Sequence, residues 1–156
     1  MLRSTLLRTR RLALTVAAAV IVVDQLIKWW VVATLPGKPV VLVEGFLQLR
    51  FVSNSGAAFS LLDGFGSVIG LVAIAATVFI FVVAVRVNST GETVALGLVL
   101  GGAIGNVVDR AFRGDGFLDG GVVDFVDFSF FPAFNAADSA ITIGAILALW
   151  FAFADR

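Results

Sequence analysis

The feature that most constrains this chain is a run of 22 residues, 64–85, that contains no charged side chain. A helix needs roughly 20 mostly apolar residues to cross the hydrocarbon core of a bilayer. Three further apolar stretches have nearly this length, and hydrophobic residues make up 60% of all 156 residues. That composition excludes an ordinary soluble domain and a disordered chain. We therefore predict a single membrane domain, 1–156, whose four spans cover about 12–35, 65–85, 93–112 and 136–154.

The first loop is expected to form a small sheet at the membrane surface. Polar and apolar residues alternate from Phe46 to Val52, and Val40 to Val43 is rich in β-branched residues. Both patterns are typical of short strands. The predicted fold class is therefore an α-helical integral membrane protein, a four-transmembrane-helix bundle with a small extracytoplasmic β-sheet at about 38–52. An irregular apolar loop is the alternative interpretation of the same residues.

The basic residues indicate an orientation. Arg3, Arg8, Arg10 and Arg11 precede the first span, which places the N-terminus in the cytoplasm by the positive-inside rule. Four spans then place both termini in the cytoplasm. We expect an uncleaved first span, because its apolar stretch continues well past the Ala17–Ala19 run where a signal peptide would end.

The composition also limits the possible chemistry. The chain contains no Cys and no His, so a thiol nucleophile, a Ser-His-Asp triad, a disulfide and a histidine-bound metal are excluded. The net charge is zero, which gives no indication of nucleic-acid binding. We predict that the protein uses no metal and no cofactor.

The polar side chains of the spans are expected to lie near one membrane face. Under the predicted orientation, this holds for all three spans that carry strongly polar groups, namely Asp24 and Lys28, then Asn106, Asp109 and Arg110, then Asn135 and Asp138. Ionisable groups within a membrane are costly and usually functional. We therefore predict one shared site near the outer boundary of the membrane.

Several spacings predict contacts within that site. Asp24 and Lys28 are four residues apart and can pair on one helix face, and pairing neutralises both groups, which favours a structural ion pair over a functional one. Asn106, Asp109 and Arg110 have the spacing to form a network among themselves. A stripe of Gly97, Gly101 and Gly105 is typical of close helix packing in lipid.

The segment between Asp109 and Asp138 holds six of the eleven acidic residues, interspersed with Phe. We expect an apolar loop that dips into the edge of the bilayer, where protein covers its backbone. Asp138 lies three residues after Asn135, which can cap the fourth helix. Two facing carboxylates share a proton, so one can act as a base on water and the other as an acid. Spacing leaves open whether Asp124 or Asp127 faces Asp138, and Asp138 could also be a simple helix-start charge.

Five motifs in order give the chain a resemblance to a known family. They are Asp24-Gln25-x-x-Lys28, Asn54-x-Gly56-Ala57-Ala58-Phe59, Gly101-Gly102-x-x-Gly105-Asn106-x-x-Asp109-Arg110, Val123-Asp124-Phe125 and Phe134-Asn135-x-Ala137-Asp138. Each motif is weak alone, but together they cover most of the chain. The chain resembles the bacterial lipoprotein signal peptidases, also called signal peptidase II.

The resemblance implies a membrane aspartyl endopeptidase of the bacterial inner membrane, acting at the extracytoplasmic face. It implies that a diacylglyceryl-modified prolipoprotein is the substrate and that cleavage falls just before the lipidated cysteine. It implies a catalytic dyad of Asp124 and Asp138, which selects Asp124 over Asp127. The residues implied to bind substrate or support the site are Asp24, Lys28, Asn54, Gly56, Asn106, Asp109, Arg110 and Asn135.

The partners expected from this interpretation are the prolipoprotein and membrane lipid, with the enzyme itself a monomer. A proton- or ion-coupled transporter is the first alternative, since acids within a membrane also mark ion pathways. It would require polar groups along a whole path, whereas the second span has no charge. A non-catalytic membrane scaffold is the second alternative, and it leaves the clustered acids unexplained.

Overall fold

The computed structural model describes residues 2–55, 66–87 and 89–154, and it contains four long helices. They are α1 (Leu2–Thr34), α2 (Gly66–Ala84), α3 (Thr90–Phe112) and α4 (Ala136–Ala154). Each is long and apolar enough to cross a membrane. The predicted α-helical membrane fold is confirmed. The motif residues Gly56 to Phe59 lie outside the described residues.

Helix α1 is longer than the apolar span that predicted it, because the preceding Leu and Arg residues are also good helix formers. It ends before Pro36, whose ring is incompatible with a continuing helix. Gly37 follows with a φ of 69°, and the backbone N–H of Lys38 donates to the carbonyl of Leu35 at 2.9 Å. This turn redirects the chain from the helix into the sheet.

Helix α3 packs against each of the other three helices. Its glycine stripe faces α1, and a Cβ atom added to Gly101 would lie only 2.7 Å from the carbonyl oxygen of Ala17. On the neighbouring face of α3, Gly102 lies against Ala137 of α4. The small residues therefore allow the three helices to approach closely, as expected from the sequence.

The small antiparallel sheet is also confirmed, but it has four strands, in the order β1 to β4. They are β1 (Val40–Val43), β2 (Leu47–Asn54), β3 (Val122–Phe128) and β4 (Phe131–Phe134). The expectation of a loop between the third and fourth spans is wrong for β3 and β4. Residues 122–134 instead form a hairpin that extends the sheet made by the first loop.

Strand β3 is held against the end of α1 by an apolar cluster. Val123 and Phe125 pack with Val31 and Leu35 of the helix. Successive side chains of a strand point to opposite faces, so Asp124 points away from this cluster. The burial of two alternate apolar residues thus determines where the intervening carboxylate points.

Candidate active site

The structure brings two aspartates of distant elements onto one asparagine. The side-chain Nδ2 of Asn135 donates to Oδ1 of Asp124 in β3 at 2.7 Å. The backbone N–H of the same Asn135 donates to Oδ2 of Asp138 in α4 at 3.2 Å. Asn135 therefore links both carboxylates directly.

Asn135 also caps α4, as its position before the helix predicts. Its Oδ1 accepts a hydrogen bond from the backbone N–H of Asp138 at 2.9 Å. Together with the bond from the Asn135 N–H to the Asp138 carboxylate, this forms a reciprocal capping box. The cap fixes the orientation of Asp138 relative to the first turn of α4.

Asn106 of α3 supplies the second link between the elements. Its Nδ2 donates to Oδ1 of Asp138 at 2.8 Å, and its Oδ1 accepts from Asn135 Nδ2 at 3.2 Å. Asp138 therefore has a donor on each carboxylate oxygen. It is partly exposed, whereas Asp124 is only 1% exposed.

Asp124 is a buried carboxyl with hydrogen-bond donors on both oxygens. Asn54 Nδ2 of β2 donates to its Oδ2 at 2.8 Å, so both of its oxygens also accept hydrogen bonds. Burial nevertheless raises the pKa of the Asp124 carboxyl to about 6, and the nearby charge of Asp138 acts in the same direction. One carboxyl is therefore able to hold a proton near neutral pH.

Asp127 lies in a different environment. Its carboxylate accepts hydrogen bonds from Arg50 Nε at 2.6 Å and from Gln48 Nε2 at 2.7 Å. The bond from Arg50 holds the pKa of the Asp127 carboxyl below its usual range. The geometry thus places Asp124, and not Asp127, beside Asp138.

A buried ionic cluster lies behind the two aspartates. The Lys28 ammonium contacts Asp24 Oδ2 and Asp109 Oδ2, each at 2.8 Å, and all three side chains are fully buried. Arg113 Nε pairs with the other oxygen of Asp109 at 2.8 Å. Every buried side-chain nitrogen or oxygen of the described residues has a hydrogen-bond partner, which a buried ion pair requires.

The ionic cluster also holds the surrounding backbone. Asp24 Oδ1 accepts from the backbone N–H of Ala137 in α4 at 3.0 Å. Asp109 Oδ2 accepts from the backbone N–H of Val123 in β3 at 3.1 Å. The carboxylates of α1 and α3 therefore position the two elements that carry Asp138 and Asp124.

The predicted network among Asn106, Asp109 and Arg110 is wrong as a set of direct contacts. Among the described residues, no hydrogen bond joins these three side chains directly to one another, although Lys28 of α1 contacts both Asn106 and Asp109. Asn106 contacts α1 and α4, Asp109 contacts α1 and β3, and Arg110 reaches the carbonyl of Ser55 at 3.5 Å. Arg110 is 8% exposed and lies within the electrostatic influence of Asp109, Asp124 and Asp138.

An apolar groove of about 550 Å³ borders Asp138. Its walls are Phe131–Phe134 of β4 and the outward face of α4, including Ser139 and Ile143. A second groove, of about 340 Å³, lies between α1 and α4 and shares Ser139 and Ile143 with the first. Apolar space therefore extends from one of the two carboxylates along α4.

The chain matches one family along nearly all of its length. The family model for signal peptidase (SPase) II matches residues 16–154. The chain belongs to the signal peptidase II family. It is therefore a membrane aspartyl peptidase, a hydrolase that removes signal peptides from prolipoproteins.

Named relatives of this signal peptidase II agree with the family match. The lipoprotein signal peptidase of Rhodococcus jostii is 44% identical over 139 residues, which cover 88% of this chain and 70% of the relative. That of Mycobacterium avium is 45% identical over 141 residues, covering 90% and 78%.

Two solved structures have a similar fold to this signal peptidase II. Both are described as bacterial membrane enzyme structures obtained by the in meso method. Each is 31% identical, has a TM-score of 0.70 and covers 92% of this chain, and the matches extend over 88% and 94% of those chains.

Two polar residues of this signal peptidase II were not predicted as site residues. Gln25 Nε2 donates to Asp109 Oδ1 and to the carbonyl of Gly105, each at 3.2 Å, and Arg113 pairs with Asp109. Gln25 lies beside Asp24 in the first motif, and Arg113 is four residues after Asp109. The i,i+4 spacing was thus a usable signal for Arg113.

Proposed function

We propose that Asp124 and Asp138 are the catalytic dyad of this signal peptidase II. The observation that carries the proposal is that both carboxylates bind Asn135 while Asp124 is buried in surroundings that favour its protonated form. Aspartyl hydrolysis needs one ionised and one protonated carboxyl at the same time. Substituting each aspartate by Asn tests the assignment, because an amide can neither accept a proton from water nor return one.

The proposed reaction assigns a different task to each aspartate. The Asp138 carboxylate, partly exposed at the groove, takes a proton from water as the water oxygen attacks the scissile carbonyl carbon. Asp124 gives its proton to the carbonyl oxygen, which produces a neutral tetrahedral diol. Asp138 then protonates the leaving nitrogen, the C–N bond breaks, and Asp124 recovers its proton from the collapsing diol.

Other polar residues are proposed to act on the substrate or to support the dyad. Asn54 donates to Asp124 and Arg110 donates to the Ser55 carbonyl, and we propose that both contact the peptide backbone of the substrate. Gly56 is proposed to allow close approach of that backbone, although it lies outside the described residues. The supporting residues are Asp24, Lys28, Asn106, Asp109 and Asn135.

The apolar grooves support a lipid-modified substrate. We propose cleavage just before a cysteine that carries a diacylglyceryl group, with the acyl chains lying along α4 in the groove beside Asp138. Buried methylene groups contribute to binding in proportion to the apolar surface they remove from water. The scissile bond then lies next to the carboxylate that activates water.

Substituting Ile143 by Trp tests this placement of the lipid. Ile143 lines both grooves, so the larger ring should raise KM by about tenfold, the effect of losing one to two buried methylenes, and leave kcat nearly unchanged. Kinetics with a lipidated prolipoprotein in detergent measure the change. The matched control is Ile146→Trp, on a similarly exposed position of α4 that lines neither groove. Equal KM values for both variants would refute the lipid placement.

We also propose that the enzyme is a monomer of the bacterial inner membrane with both termini in the cytoplasm and the dyad toward the extracytoplasmic face. The basic residues before the first span and Arg86 between α2 and α3 support this orientation. Lys38 lies at the opposite end of α1, beside the sheet.

Single cysteines test the orientation, because the chain has no Cys of its own. In intact spheroplasts, a membrane-impermeant maleimide should label Lys38→Cys and should label Arg86→Cys only after the membrane is opened. Both native residues are exposed, so burial does not limit either reaction. The reverse labelling pattern would invert the proposed topology.

A further inference from the structure

The side-chain amide of Asn106 lies between a buried ammonium and Asp138. Lys28 Nζ donates to Asn106 Oδ1 at 3.0 Å, and Asn106 Nδ2 donates to Asp138 Oδ1 at 2.8 Å. An ammonium carries only donors, so it selects the oxygen end of the amide. The nitrogen end is thereby left for the carboxylate.

The neighbouring Asn135 requires the same orientation of the Asn106 amide. Asn135 Oδ1 accepts from the Asp138 backbone N–H, so the Nδ2 of Asn135 points to Asp124 and to Asn106 Oδ1. If the Asn106 amide were turned over, its NH2 group would face Lys28 and the NH2 group of Asn135. Its oxygen would face the Asp138 carboxylate, so all three contacts would become repulsive.

Lys28 itself has no freedom to turn. Its three N–H donors are matched by Asp24 at 2.8 Å, Asp109 at 2.8 Å and Asn106 at 3.0 Å, and its side chain is fully buried. The two carboxylates belong to α1 and α3, the helices that the glycine stripe packs together. The position of the ammonium is thus set by the helix bundle and not by the substrate.

We propose that Lys28 is a positioning residue for Asp138, which fixes the Asn106 amide so that its NH2 group always points at the carboxylate that activates water. This rests on the proposed function of the dyad. A donor held on Asp138 stabilises its ionised form, the form that accepts the proton of water. Lys28 acts through Asn106 and makes no contact with the reacting atoms.

Several charged groups besides Lys28 lie around Asp138 and bear on the pH dependence of cleavage. Arg110 of α3 and Asp124 of β3 both act on it electrostatically. Asp24 and Asp109 lie beyond Asn106 and are paired with Lys28. A useful test must therefore change the donor to Asn106 without changing the net charge of the ionic cluster.

Two double variants meet this condition, Asp24→Asn with Lys28→Gln and Asp24→Asn with Lys28→Met. Each removes one positive and one negative charge, and Gln and Met have similar lengths, but only Gln carries an N–H donor. The pH dependence of kcat and KM is measured for both with one lipidated substrate. We expect the Met variant to have a kcat about tenfold lower than the Gln variant, because a charge-assisted hydrogen bond is weakened. We also expect the acid limb of its kcat profile, where activity falls toward low pH, to lie about one pH unit higher than in the Gln variant. The KM values of the two variants should be equal.

Asn106→Leu extends the test without changing the charge of the ionic cluster, although it removes the acceptor of one Lys28 donor. This variant removes the donor to Asp138 in a side chain of similar shape, so its acid limb should also move to higher pH. In an Asn106→Leu background, exchanging Gln for Met at position 28 should have no further effect, as expected when one residue acts through another. The matched control Asn54→Ala removes a donor from Asp124 and should instead move the alkaline limb upward.

Two results would overturn the inference. One is an identical kcat and acid limb in the Gln and Met variants, and the other is an unshifted acid limb in Asn106→Leu. If these occur while Asp138→Asn is inactive, only the role of Lys28 is refuted. If Asp138→Asn cleaves normally, the dyad assignment and the role of Lys28 both fail.

Discussion

Replacing either Asp124 or Asp138 by Asn is expected to abolish cleavage of a lipid-modified prolipoprotein. Each variant loses a group that transfers a proton in the transition state, and such groups each contribute about 10²- to 10⁴-fold to the rate. We expect kcat to fall by at least about 10³-fold, because the two carboxyls act as a unit. Purified variants in detergent should elute and melt as folded protein, since Asn retains the shape of Asp and a hydrogen-bonding side chain.

Asp127→Asn is the matched control for this prediction, because Asp127 lies three residues along the same strand. It contacts Arg50 and Gln48 and has no link to Asn135 among the described residues. Loss of the Asp127 carboxylate should leave kcat within about twofold of the native value, since a partly exposed ion pair contributes little to the stability of the fold. Full activity of the Asp124 or Asp138 variant, or an inactive but folded Asp127 variant, would contradict the assignment.

Replacing Lys28 alone by Met is expected to cause the second large effect, a loss of folded protein. The variant leaves the Asp24 and Asp109 carboxylates buried without their shared ammonium. Removing one partner of a buried ion pair typically destabilises a protein by about 3–5 kcal/mol. We therefore expect a much lower yield and a lower thermal midpoint in detergent.

The control for that substitution is Lys38→Met, at an exposed position just beyond α1. It removes the same charge without opening a buried cluster, so yield and midpoint should change little. Adding Asp24→Asn to Lys28→Met should restore much of the lost stability by removing one uncompensated charge. A Lys28→Met protein as stable as the native enzyme would show that the cluster contributes no net stability.

The helices could be predicted from the sequence because the length of an apolar run directly reports a membrane span. The charge-free run at 64–85 contains α2, and the apolar run after Asp138 corresponds to α4. Strands β3 and β4 were missed. The pattern Val122–Phe128 does alternate in part, but its acidic and aromatic residues suggested a loop at the membrane surface.

The site was harder to predict than the fold, because its contacts cross between elements. Sequence spacing identified the i,i+4 pair of Asp24 and Lys28, which is a local contact. The same reasoning wrongly predicted direct contacts among Asn106, Asp109 and Arg110. Asn106 and Asp109 instead share Lys28, and Arg110 reaches Ser55. Spacing also could not separate Asp124 from Asp127, since that choice depends on which face of β3 packs on α1.

The most direct test of the central claim is an experimental structure with a peptide-like inhibitor whose scissile bond is replaced by a secondary hydroxyl. Such a hydroxyl occupies the position of the attacking water or diol in an aspartyl site. We predict that it lies within hydrogen-bond distance, about 3 Å, of one oxygen of Asp124 and one oxygen of Asp138. A hydroxyl that contacts neither carboxylate, or carboxylates more than about 8 Å apart with no bridging water, would contradict the proposed dyad.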